Sequence, residues 1–93
     1  MSQQALMPSQ CRAARGLLAW TQDLLAARAG VSRSTVRDFE NGRHDLHRST
    51  ASQIARTLEE AGVMLIASGE FGPGVRLRRP FEPALAAAAP PEP

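Results

Sequence analysis

Through the first two-thirds of the chain, apolar side chains recur every three or four residues, the spacing of one helical face; after Gly62 that spacing disappears. Cys11, Ala14 and Leu18, with Leu17 beside them, predict a first helix capped by Ser9 and running to about Ala19. A second helix is expected after Thr21, whose hydroxyl can cap it, with Asp23 at the positive end of its dipole. Leu25, Ala26 and Ala29 form its inner face, and Gly30 supplies the left-handed stop. Only Val31 separates that glycine from Ser32, the cap of a third helix, Arg33 to Glu40. Val36 and Phe39 point this helix inward, Arg33, Ser34, Arg37 and Asp38 are left outside, and Asn41-Gly42 ends it. A polar loop anchored by Leu46 follows. Thr50 and Gln53 then form a capping-box pair for a fourth helix to about Ala61, with Ile54 and Leu58 inside.

Beyond Gly62 the run Val63 to Ala67 is β-prone, residues 68–74 carry glycines and a proline suited to a turn, and Val75 to Arg78 alternates apolar with basic. Two strands alone are marginal in water. They must pack on the helices or pair with a second copy. From Pro80 the sequence is rich in alanine and proline and reads as a disordered tail. The expected organisation is therefore a mainly α chain: a compact four-helix unit at residues 9–62, a two-stranded β element at 63–79, and a tail at 80–93.

Ninety-three residues leave room for little more than one small core. No unbroken apolar run approaches the roughly 20 residues a bilayer requires. The polar first ten residues lack the basic and apolar regions of a signal peptide, so a cytoplasmic location is expected. A single cysteine, Cys11, agrees with a reducing compartment. Net charge is only +2 and says little, but all 11 basic residues are arginine. Eight of them lie between Arg12 and Arg56, where the only acids are Asp23, Asp38, Glu40 and Asp45. Arginine's planar fork suits phosphate oxygens and guanine edges, although a GC-rich genome would favour it too.

Two helices joined by so short a turn must cross steeply. The first needs a small residue at the crossing, the turn must tolerate a positive φ, and the second must fill the gap with a branched apolar side chain. Ala26, Gly30 and Val36 meet these needs in order, which is the helix-turn-helix arrangement. The stretch Thr21 to Val36, followed by Phe39-Glu40-Asn41-Gly42-Arg43, resembles the lambda-repressor-like (Cro/C1, XRE-type) DNA-binding domains, with a similarity reaching from about Cys11 to Gly62.

That resemblance implies that Arg33, Ser34, Arg37 and Asp38 face base edges. It implies phosphate contacts from Gln22, which also braces the recognition helix, and from Arg43 and the loop after it, with His44 and Arg48. Ser32 and Thr35 at the start of the recognition helix join the phosphate set, Ser32 as a cap first. It further implies a buried ion pair, Arg15 with Glu40. Many relatives carry a basic or amide residue where Asp38 stands; an acid there can accept from cytosine N4 or orient Arg37 or Arg33. The β element resembles a subgroup, including antitoxin regulators, whose strand pairs with that of a second protomer.

Other features have plainer readings. His44 and His47 around Asp45 could suggest a metal, but no further ligand supports them, and a phosphate-facing loop is the simpler account. Cys11 reads as a small core residue, Trp20 as packing, and Arg28 and Arg56 as solvated charges. Arg76, Arg78 and Arg79 would protect a strand edge or touch DNA outside the main site. No catalytic constellation is visible, and neither cofactor nor metal is expected. The expected function is a sequence-specific regulator, mostly a repressor, binding double-stranded DNA as a homodimer through residues 63–79. Its rivals are an antitoxin that also neutralises a partner protein, and an interaction module without DNA binding.

Overall fold

A computed structural model of the chain describes residues 6–43 and 48–80. Four helices, α1 (Pro8–Leu18), α2 (Gln22–Ala29), α3 (Arg33–Glu40) and α4 (Arg48–Glu60), precede two strands, β1 (Val63–Ile66) and β2 (Gly74–Leu77). Among the described residues, no helix is long and apolar enough to cross a membrane. Leu46, expected to anchor the loop before α4, and the Ala/Pro-rich tail from Phe81 lie outside the described residues.

One core joins the four helices and β1, with Val75 and Leu77 of β2 packed against it. Cys11, Ala14 and Leu18 of α1, Leu25, Ala26 and Ala29 of α2, Val36 and Phe39 of α3, Ile54 and Leu58 of α4 and Val63 of β1 are buried together. Apart from Leu17, which is only half-buried and outside this cluster, the inward positions expected from helical spacing are thus the ones that meet. Gly30 caps α2 at φ 75°, and a side chain there would be strained whatever space surrounded it. Ala19 ends α1 at φ 58° without being glycine.

Two helix starts differ from the sequence expectation, for related reasons. Helix α1 begins at Pro8, one residue before the expected cap Ser9, because proline's fixed φ suits the first helical position and its missing amide needs no partner. The preceding Met7 amide donates to Gln10 Oε1 at 3.0 Å. Helix α4 begins at Arg48, which places Thr50 inside it rather than at its cap. Gln53 does not close a box with Thr50; its Nε2 donates 2.8 Å to the Ala29 carbonyl. That carbonyl is one of the orphan acceptors at the end of α2, so a tertiary partner outcompeted the local one.

The strands form an antiparallel hairpin in the register Val63↔Leu77, Met64↔Arg76, Leu65↔Val75 and Ile66↔Gly74. Val63, Leu65, Val75 and Leu77 turn toward the helices, and Met64, Ile66 and Arg76 turn away. Of the two ways to steady the strands, packing on the helices is therefore realised within one chain. Both ends of the ladder are fastened. The Arg78 amide donates 2.8 Å to the Gly62 carbonyl at one end. At the other, Gln10 Nε2 donates to the carbonyls of Ile66 (3.0 Å) and Gly74 (3.1 Å), its two hydrogens spanning the last register pair.

Gln10 is buried, and its amide joins the N-terminus of α1 to the tip side of the hairpin. Gln10→Ala should lower stability by about 1–3 kcal/mol, since three hydrogen bonds go and two half-buried carbonyls lose a donor. Amide exchange is expected to accelerate first in β1 and β2, with α2 and α3 still protected. Uniform loss of protection across the chain would contradict a local fastening role.

Candidate nucleic-acid interface

The α2–turn–α3 unit is built from caps and small residues. Thr21 Oγ1 accepts from the Leu24 amide at 3.0 Å and fixes the start of α2. The Val31 amide reaches back 3.0 Å to the Ala26 carbonyl, which closes the turn around Gly30. Ser32 Oγ then accepts from the Thr35 amide at 3.1 Å and lies 2.8 Å from Thr35 Oγ1, so α3 starts at once. At the crossing, Ala26 is small enough to let the helices approach, and Val36, fully buried, fills the space beneath.

Burying Val36 and Phe39 turns the opposite face of α3 to solvent. Arg33, Ser34 and Arg37 are exposed there, and Asp38 is half-buried. Both arginines have a carboxylate beside Nε. Arg33 Nε lies 3.2 Å from Asp23 Oδ1 on α2, and Arg37 Nε lies 3.6 Å from Asp38 Oδ1. From sequence Asp23 is only a dipole partner for α2, because nothing in local spacing announces a contact between the first turns of two helices.

Behind this face sits a polar lock. Glu40, its side chain 1% exposed, receives Arg15 Nε on Oε2 and Arg15 Nη2 on Oε1, each at 2.7 Å. Gln22 Nε2 adds a bond to Oε1 at 3.0 Å, and the Cys11 thiol donates to Oε2 at 3.1 Å. Arg12 donates to the Glu40 backbone carbonyl, and Arg15 Nη1 donates to the Trp20 carbonyl at 3.0 Å. The end of α3 is thereby tied to α1, to the start of α2 and to the loop between them. Burial resists ionisation of Glu40, but the bonds from Arg15, Gln22 and Cys11 outweigh it and hold the carboxyl below its ordinary 4.5. The Glu40 bond likewise raises Arg15. Burial, then the Glu40 bond and charge, push the Cys11 thiol far above its usual range, so it stays protonated as a donor.

The predicted pair Arg15 and Glu40 is thus present, and Gln22 braces the recognition helix through Glu40. Arg43, just past α3, and Arg48, at the head of α4, are exposed. Thr35 is half-buried beside Ser32, while His44 and its neighbours Asp45 and His47 lie outside the described residues. Cys11 proves to be more than a small core residue, since the sequence pattern showed its burial but not the carboxylate above it. Arg28 is not merely solvated: its guanidinium stands 5.3 Å from the centre of the Trp20 ring.

A helix locked from behind and displaying Arg33 and Arg37 on its outer face, joined to its partner helix by a one-glycine turn, defines a DNA-binding helix-turn-helix regulator. The chain belongs to the lambda-repressor-like, XRE-type family of these proteins: the family's helix-turn-helix model matches residues 12–61, more than half of the chain. Among the curated proteins compared, none matches it.

Proposed function

We propose that the protein is a sequence-specific transcriptional repressor that binds a palindromic operator as a homodimer. The exposed arginine face of α3, held rigid by the Glu40 lock, carries this reading. Arg33, Ser34 and Arg37 would meet base edges in the major groove, with Asp38 beside Arg37. Gln22, Ser32, Thr35, Arg43, His44 and Arg48 would set the register on phosphates. Such a small dimer would repress by occupying promoter DNA.

Support for the homodimer comes from the outer hairpin surface. Met64 (44% exposed), Ile66 (40%) and Phe71 (79%) are its large apolar side chains in solvent. Met7 (38%) stands nearby, its amide one glutamine side chain away from Ile66. Exposed apolar clusters mark association surfaces. Two-fold pairing there would set half-sites about 34 Å apart, one helical turn, or a multiple of it.

Selection from random duplexes should enrich a palindrome, and affinity should fall steeply with salt as phosphate contacts release counterions. Ile66→Glu should shift the protein toward monomer in sedimentation and weaken binding to the full palindrome more than to a half-site. Enrichment of no palindrome, or a self-association indifferent to Ile66→Glu, would remove the corresponding half of the proposal.

A further inference from the structure

We infer that Asp23, on α2, is a specificity-determining residue that positions Arg33 to read guanine. The inference rests on the DNA-reading role proposed above for α3 and adds a residue that lies outside that helix.

A guanidinium has five N–H donors in a fixed plane, one on Nε and two on each terminal nitrogen. The contact that recognises guanine is bidentate, with two of these donors reaching O6 and N7. Asp23 Oδ1 sits 3.2 Å from Arg33 Nε in an exposed ion pair, which places the carboxylate on the Nε side of the fork and leaves Nη1 and Nη2 for a base. Arg37 repeats the pattern more loosely, with Nε 3.6 Å from Asp38 Oδ1. A long arginine that is free must be ordered when it binds; one already paired at Nε loses less freedom. A carboxylate beside Nε also biases the plane of the fork, and the plane decides between a bidentate base contact and a single bond to the nearest phosphate.

The charge of Asp23 points the same way. It adjoins Gln22, which is placed in the proposed phosphate line, and an exposed acid there opposes DNA through like-charge repulsion. Its contribution to the α2 dipole needs no arginine partner and would be met equally well with Arg33 turned away. The carboxylate is therefore expected to trade non-specific affinity for discrimination.

Base preference is to be measured at every operator position for the full-length protein and for Asp23→Ala, Asp23→Glu and Asp38→Ala, alongside binding to an unrelated duplex. For Asp23→Ala, preference for guanine should fall about 3- to 10-fold at one position of each half-site, with other positions unchanged. Binding to the unrelated duplex should strengthen, and Asp23→Glu should restore much of the lost preference. Asp38→Ala should act at a different position. An unchanged profile for Asp23→Ala, or a uniform drop in affinity at all positions, would overturn the inference while leaving the DNA-reading role intact. A native protein that prefers no base anywhere would overturn both.

Discussion

Glu40→Ala is expected to destabilise the protein by about 3–5 kcal/mol, the cost typical of removing one partner from a buried ion pair. The substitution strands Arg15, whose side chain is only 20% exposed, and takes the acceptor from Gln22 and Cys11 as well. Small domains have roughly 5–15 kcal/mol in total, so the variant should be partly unfolded at physiological temperature. Urea titration measures this directly. Removing both charges, as Arg15→Met with Glu40→Leu, should recover a large part of the loss, because no uncompensated charge then remains in the interior. A single variant as stable as the native protein would mean that the lock contributes nothing.

The same group predicts an acid limit. Glu40 has a folded pKa below its ordinary 4.5, so between the two values the unfolded chain takes up a proton that the folded chain refuses. Its stabilisation is complete above the unfolded value and declines as pH falls toward the folded one. Melting temperature should therefore drop below about pH 4.5, and Glu40→Gln should flatten this part of the profile.

The second large effect falls on binding and leaves the fold alone. Arg33→Ala with Arg37→Ala removes two exposed side chains from α3 and touches no core residue. The double variant should melt within about 1 kcal/mol of the native protein, as surface substitutions do. Each bidentate base contact is worth about 1–3 kcal/mol, so affinity for one half-site should fall by about 30- to 10⁴-fold, and further through lost phosphate attraction. The ratio of operator to non-specific binding is the decisive readout. Were it unchanged, base reading would have to be assigned to other residues.

Much of this was legible beforehand because it is local. Thr21, Gly30 and Ser32 act within four residues of themselves, and each caps or turns the chain where its chemistry requires. Cys11, Leu25, Val36, Ile54 and Leu58 fall on helical stripes, and stripes become a core whatever the details. Gln10, Gln53 and Asp23 were not legible in this way. Each is a polar side chain with a local role open to it, and each took a partner on another element. Burial of an orphan carbonyl, or a nearby guanidinium, decides such competitions, and neither is visible until the elements are packed.

By itself the sequence determined the helices, the caps of α2 and α3, the inward stripes and the helix-turn-helix spacing, since these follow from short-range sterics and from hydrophobic period. The tertiary structure alone decided that the hairpin folds onto its own helices, with Val63 and Leu65 inward and Met64 and Ile66 out. It also decided that the Cys11 thiol joins Arg15 and Gln22 on the Glu40 carboxylate, and that Asp23 pairs with Arg33. The reason is the same throughout. Backbone preference acts between neighbours, whereas a polar atom's partner is whichever complementary group packing brings within about 3 Å.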